Sequence, residues 1–259
     1  MPGPAELGQN LLVDHAVITD IVDLVRNGDD PIVEWAAGDG AVTRELAHLG
    51  RPLEAVEIDA RRIAVLRRRV GPHVAITHGD ILRHAPPAGP HDVVCNVPFH
   101  LTTPVLRRLL GLPHWGTAVL LTQWEVARKR AGVGGATQLT AQWWPWFDFR
   151  LARRVPAAAF SPRPAVDGGL LVVSRRSRPL VPRGADRDLY QRWVRTVFTG
   201  RGRDLPAVLA GAGGGDRRAT AAWCRAQGLG PRALPRDLTA GQWVAAYRIS
   251  RARRRGRPR

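Results

Sequence analysis

The sequence predicts an α/β protein in which a doubly wound, parallel sheet is followed by a small C-terminal all-helical domain. Strand-like apolar segments alternate with helical stretches, the pattern of parallel strands joined by crossover helices. A glycine turn closes the first of those strands, and only helical periodicity follows Ser174.

The opening Leu7 to Asp14 reads as a loop. Ile18, Ile21, Val22 and Val25 then form one apolar stripe on a helix from Ala16 to Arg26, which Asn27-Gly28-Asp29-Asp30-Pro31 stops. Strands are expected at Ile32 to Ala36, Leu53 to Ile58, His73 to Thr77 and Asp92 to Cys95. A fifth is expected from Thr117 to Thr122, then a basic helical piece from Glu125 to Arg130, and a last strand from Gly169 to Ser174. Ser174 to Arg187, rich in Arg, Pro and Ser, reads as a linker. Helical patterns follow at Leu189 to Phe198, Ala219 to Ala226 and Ala240 to Ile249. The expected organisation is a larger domain over 1–176, a helical domain over 177–250, and a basic tail over 251–259 too charged to bury anything and therefore disordered.

With 259 residues, 44% hydrophobic and 24% charged, the chain suits a globular protein with a substantial core. No apolar run approaches the roughly 20 residues of a membrane span, and the start lacks a signal-peptide core, so a cytoplasmic protein with no membrane partner is expected. Two distant cysteines, Cys95 and Cys224, are too few for a disulfide framework or a zinc site, and no metal is expected. The net charge of +17 points to a polyanionic partner, nucleic acid first. Basic stretches at Arg61 to Arg69, Arg107-Arg108, Arg128 to Arg130 and Arg251 to Arg259 are candidate phosphate contacts; each is also what a solvated helix face looks like.

The most informative run is Asn96-Val97-Pro98-Phe99, at the exit of the strand that ends in Cys95. An exocyclic amine on a base is a poor nucleophile because its lone pair is delocalised into the ring. The Asn96 side-chain oxygen and the Val97 carbonyl can each accept one amine hydrogen, while Phe99 stacks on the ring. Pro98 restricts Val97 to extended geometry and so aims its carbonyl. Beside this run, His100 is expected to be a turn or packing residue, and Cys95 a small core residue without an activating partner.

A ligand site for that chemistry is expected at the glycine turn Ala36-Ala37-Gly38-Asp39-Gly40, where the backbone admits close approach. Glu57, ending the second strand, is placed to hold a ribose, and Asp80, after the third, to accept from an adenine amino group. The turn offers two glycines rather than the three of a dinucleotide fingerprint and carries the acidic Asp39, awkward for a pyrophosphate and harmless for a cationic sulfonium. S-adenosylmethionine is the cofactor expected, with Asn10 and Leu12 as further contacts.

In that order, Gly8-Gln9-Asn10-Leu11-Leu12, the turn at Gly38 and Gly40, Glu57, Asp80 and Asn96-Val97-Pro98-Phe99 resemble the ribosomal RNA adenine N6-methyltransferases. Gln123-Trp124-Glu125-Val126-Ala127-Arg128-Lys129-Arg130, Thr140 to Phe147 with its tryptophans, and Phe160 to Asp167 resemble the Erm branch in particular. The resemblance runs from about Gly8 to Arg176. It implies a Rossmann-like methyltransferase domain over 1–176 and a helical domain over 177–250 that assists RNA binding. It further implies methyl transfer from S-adenosylmethionine to N6 of one adenine in the peptidyl transferase loop of 23S rRNA, protein-free or precursor. That modification would confer resistance to macrolide, lincosamide and streptogramin B antibiotics, and the enzyme would act as a monomer. Gln9, Asn10, Leu12, Ala36, Gly38, Glu57 and Asp80 would hold the cofactor, with Asn96 between cofactor and base and Val97, Pro98 and Phe99 completing the catalytic turn. The family usually has glycine where this chain has Ala36, so an added methyl group is expected beside the methionine end of the cofactor, absorbed by a small backbone adjustment.

Three rivals remain at this stage. The sister enzymes that dimethylate small-subunit rRNA lack the Gln123-Trp124-Glu125 and tryptophan-rich signatures. A DNA adenine methyltransferase would use a similar acceptor turn. An RNA-binding module with a decayed enzymatic site would be indifferent to loss of Asn96.

Overall fold

The computed structural model describes residues 10–213 and 216–255, the side chains only as far as Arg251. Gly8 and Gln9, and the end of the basic tail at 256–259, lie outside the described residues. The chain divides into two compact units, one of Met1–Arg128 with Arg150–Arg175, the other of Lys129–Phe149 with Arg176–Arg259.

The first unit begins with a two-residue strand β1 (Leu11–Leu12) and helix α1 (His15–Asp23), whose first turn is capped by the Asp14 carboxylate accepting from the Ala16 and Val17 amides. There follow β2 (Ile32–Trp35), α2 (Ala41–Ala47), β3 (Leu53–Glu57), α3 (Ala60–Arg69), β4 (Val74–His78), β5 (His91–Asn96), α4 (Thr102–Gly111) and β6 (Trp115–Gln123). Helices α5 (Trp124–Arg130) and α6 (Gln138–Trp143) precede β7 (Phe147–Val155), β8 (Phe160–Ser161) and β9 (Gly168–Arg175). The expected strands are therefore present, each within two residues of its predicted ends.

Seven strands form one sheet in the order β4-β3-β2-β5-β6-β9-β7. The pairs β3–β4, β2–β3, β2–β5 and β5–β6 are parallel, as the alternation of strand and helix requires. The sheet is nonetheless mixed, because β9 lies antiparallel on β6 with Thr117 opposite Ser174 and Gln123 opposite Gly168. β7 is not among the expected strands: Phe147, Phe149 and Leu151 alternate with Asp148 and Arg150, but Arg153 interrupts the apolar face before Val155, as an edge position permits. The order reverses at β2 and β5, so the crevice at their C-terminal ends is where a doubly wound sheet places its ligand. Below it, β2 is wholly buried, and Val33, Val93, Ala55 and Ala118 are inaccessible. A buried ion pair, Arg51 to Asp92 at 2.7 Å, closes the other end of the sheet; Asp92 also accepts from the Thr117 amide.

The second unit adds α7 (Ala185–Thr199), α8 (Leu205–Gly213), α9 (Arg217–Ala226) and α10 (Ala240–Arg255). Its core is aromatic: Trp146 meets Tyr190 edge-on at 5.7 Å, Tyr190 meets Tyr247 at 5.1 Å, and Trp193 meets Trp243 at 5.7 Å. Trp146 and Phe147 are thus core residues, while Trp143 and Trp144 are half-buried. Three expectations change here. Residues 129–149 fall in this unit and not in the larger one. The expected linker packs, with the Leu180 amide donating to the Pro145 carbonyl and Val181 buried. The helix runs on through Arg255, five residues into the segment expected to be disordered, and Arg251 pairs with Asp186.

Candidate active site

β2 delivers the chain into the turn at 36–40, and the turn works through its backbone. Ala36, Gly38 and Gly40 all have positive φ, at 59°, 58° and 84°. At Gly38 a Cβ would meet Leu11 at 3.1 Å, and at Gly40 it would strike Leu66 at 2.6 Å, so glycine keeps the ligand side bare at one position and lets α2 approach α3 at the other. Ala36 holds the left-handed region without being glycine.

Glu57 is almost wholly buried and locks this turn. Its Oε2 accepts from the Gly38 amide at 2.8 Å, and its Oε1 from the Ile58 and Asp59 amides at 3.0 and 2.9 Å. A carboxylate offers about four lone-pair directions, and these three amides leave one, on Oε2, for a ribose hydroxyl. Next to it Ile58 is half exposed, an apolar shelf at the edge of the cleft. Asp80 stands on the loop after β4, its Oδ1 taken by the Leu82 amide at 2.8 Å, while Oδ2 keeps its hydrogen-bonding capacity with the Arg83 guanidinium 3.9 Å away. Asp39 does not line this cleft; it pairs with Arg62 at 2.7 Å, so its charge contributes less to the choice of cofactor than the sequence implies.

Across the cleft, the Asn96 Nδ2 donates to the Asn10 carbonyl at 3.0 Å. Since a carbonyl can only accept, the amide must present its NH2 end there, and Oδ1 is left facing the cleft. The Val97 amide donates to the Leu121 carbonyl at 2.9 Å, fixing the peptide before Pro98, and among the described residues no partner meets the Val97 carbonyl oxygen. Phe99 follows in a single 3-10 turn and meets Phe160 edge-on at 6.2 Å.

Asn10, Ala36, Gly38, Glu57, Asp80, Asn96, Val97, Pro98 and Phe99 line one cleft, of about 120 Å³. Leu12 has its side chain in the core at 3% exposure and lines the groove that adjoins this cleft at Ala36, Gly38 and Asn96, while Leu11 lines both. His100 is exposed at the rim. Cys95 is buried beneath Asn96, and burial pushes its thiol well above the ordinary range, so it is no nucleophile. Beyond the expected residues, Leu11, Ile58, Ile81 and Leu101 line the cleft and Phe160 packs on Phe99. Leu11 and Phe160 lie within motifs that carry the family resemblance, and Ile58 is an apolar residue directly after a strand-end acid. Among the described residues no cluster fit for a metal ion occurs. Several arginines of the expected phosphate-binding stretches are engaged internally: Arg62 with Asp39, Arg108 with the His84 carbonyl, and Arg128 with Glu125.

Behind the turn, Glu34 is fully buried on β2, and desolvation pushes its carboxyl up to about 8, opposed by the neighbouring Thr43 hydroxyl and reinforced by the Glu57 charge. It lines a groove that adjoins the cleft at Ala36, Gly38 and Asn96.

The bare backbone at Gly38, the single open lone pair of Glu57, the shelf of Ile58 and the Asp80 carboxylate fit an adenosine, and the Asn96 turn beyond them fits a second, flat base. Comparison with known proteins agrees. The family model described as ribosomal RNA adenine dimethylase matches residues 4–249. The chain is 51% identical over 250 residues to the mycinamicin-resistance protein MyrB of Micromonospora griseorubida, covering 96% of this chain and 79% of that one. It is 50% identical over 208 residues to an rRNA adenine N-6-methyltransferase of Corynebacterium diphtheriae, covering 80% and 82%. The solved structure of the 23S rRNA methyltransferase ErmE superposes with a TM-score of 0.85 at 32% identity, over 92% of this chain and 98% of that one. The chain belongs to the ribosomal RNA adenine dimethylase family and is an S-adenosylmethionine-dependent rRNA adenine methyltransferase.

Proposed function

We propose that this enzyme methylates N6 of one adenine in the peptidyl transferase loop of 23S rRNA and so confers resistance to macrolide, lincosamide and streptogramin B antibiotics. The observation that carries the chemistry is the Asn96 amide, turned by Asn10 so that its oxygen faces the cleft beside the Val97 carbonyl. The choice of RNA is supported by the likeness to MyrB, named for mycinamicin resistance, and to the 23S rRNA methyltransferase ErmE.

When bound, S-adenosylmethionine would supply an electrophilic sulfonium methyl group for N6, with the neutral thioether as the leaving group. Gly38 and Glu57 would hold its ribose side, Asp80 its adenine edge, and Asn10, Leu12 and Ala36 its methionine end. Asn96 Oδ1 and the Val97 carbonyl each accept one hydrogen of the target amine, which draws the nitrogen toward tetrahedral geometry and restores its lone pair. Phe99, braced by Phe160, stacks on the extruded base. Alkylation makes the two N6 protons acidic enough for one of them to leave to water, so no buried base is needed. The RNA is read largely by shape and by an unpaired, splayed adenine. The enzyme works as a monomer on protein-free or precursor 23S rRNA in the cytoplasm, with Gln9 completing the cofactor site and the helical segment over 177–250 assisting RNA binding.

Purified enzyme with labelled S-adenosylmethionine is expected to methylate naked 23S transcripts and to leave 16S transcripts and DNA unlabelled. Mass analysis of 23S rRNA from cells with and without the chain then locates the adenine and counts its methyl groups. Folded enzyme that labels 16S RNA or DNA instead overturns the proposal.

A further inference from the structure

Trp35, the last residue of β2, is inaccessible, yet its indole nitrogen has a partner: Nε1 donates to His84 Nδ1 at 3.3 Å. An indole N–H can only donate, so Nδ1 must be the accepting nitrogen and the ring proton resides on Nε2. That Nε2 donates to Glu54 Oε1 on β3 at 3.0 Å, and the same oxygen accepts from the Thr77 hydroxyl of β4 at 2.6 Å. The His84 hydrogen bond, ahead of that from Thr77, holds the Glu54 carboxyl below its ordinary range. Three neighbouring strands are thereby tied to one imidazole whose side chain is 6% exposed.

His84 belongs to no strand. It ends the turn that begins at Asp80: the Arg83 and His84 amides both donate to the Asp80 carbonyl at 2.8 Å, and the Leu82 amide to the Asp80 side chain. From the other side, Arg108 on α4, the helix that follows the Asn96 turn, donates to the His84 carbonyl. This loop otherwise contains Pro86, Pro87, Gly89 and Pro90 and has no regular structure to hold it.

We propose that His84 is the positioning residue of the adenine seat: by joining Trp35 to Glu54 it fixes the turn on which Asp80 stands, and through Arg108 it ties that turn to the helix behind the target-base site. The proposal rests on Asp80 as the contact to the cofactor's adenine. A seat held by a side chain whose own partners are rigid loses little order on binding, and releasing it costs affinity for the cofactor before it costs chemistry.

The test uses the full chain and S-adenosylmethionine, with the dissociation constant measured by calorimetry and kinetics read as KM and kcat separately. His84→Phe keeps the volume and loses both hydrogen bonds; it should weaken cofactor binding about tenfold and leave the KM for RNA unchanged. His84→Gln, with one amide acceptor and one donor, should restore most of the loss. Asp80→Ala combined with His84→Phe should be no weaker than Asp80→Ala alone, because both act through one contact. If His84→Phe does not fold, Glu54→Gln serves in its place, with the Trp35 indole N–H resonance reporting whether the relay has opened. Loss of affinity in Asp80→Ala with none in His84→Phe, or in its stand-in with the relay open, overturns the proposal and leaves the adenine seat standing. Undiminished affinity in Asp80→Ala overturns the seat, and the proposal with it. Losses that simply multiply in the double variant overturn the coupling.

Discussion

Asn96 and Asn10, 86 positions apart, are joined by one hydrogen bond of 3.0 Å from the Asn96 amide to the Asn10 carbonyl. The amino-terminal segment is therefore part of the catalytic turn, since it decides which end of the Asn96 amide faces the cleft. Asn96→Asp presents no donor to Asn10 and sets a charge against its carbonyl. Methyl transfer should fall by about 10²-fold or more with RNA affinity retained, and single-turnover transfer beside a filter-binding assay checks both.

Ala36 holds a left-handed backbone at the wall of the cleft. Ala36→Gly removes about 1–2 kcal/mol of local strain, offset in part by the extra freedom of glycine in the unfolded chain. The melting temperature should change little while the cofactor dissociation constant falls severalfold. Ala36→Val, β-branched at positive φ, should weaken both; calorimetric titration and thermal unfolding read the two effects.

Glu34 gives the fold a pH dependence of known sign. Its folded value of about 8 lies above the ordinary 4.5, so the folded protein holds a proton there that the unfolded chain releases. Stability from this group is complete below about 4.5, declines as pH rises, and is lost by the time pH passes about 8. Glu34→Gln should abolish that slope and exceed the parent in stability above pH 8, with the two alike near pH 4.5. Melting temperatures measured across that range test it; parallel curves for the two proteins would refute it.

The Arg51–Asp92 pair is buried on both sides, 6% and 10% exposed, so removing one partner strands the other. Asp92→Ala also leaves the Thr117 amide without its acceptor. The expected loss is about 3–5 kcal/mol in denaturant unfolding, with cofactor affinity unchanged in whatever fraction remains folded, because the pair lies at the end of the sheet away from the cleft.

The sequence alone determined the elements whose pattern is local and the site residues whose chemistry depends on neighbours in the chain. Apolar runs gave the parallel strands, glycines at positive φ gave the turn, and Asn96 to Phe99 carry their acceptors and ring in consecutive positions. Glu57 and Asp80 were legible for the same reason, since Glu57 ends one strand and Asp80 stands two residues past the next. The tertiary structure decided what sequence distance hides. β7 pairs at an edge, where its arginines are tolerated and its pattern is obscured. Leu11 rather than Leu12 faces the cleft, because β1 pairs with β8 in a register that the loop sequence does not specify. Phe160 braces Phe99 from a segment 61 positions later. His84 reads as an ordinary loop histidine until three strands converge on it. Residue types announce the reaction, whereas the orientation of an amide, the tautomer of a ring and the choice of facing side chain are set by partners that only the fold brings within hydrogen-bonding distance.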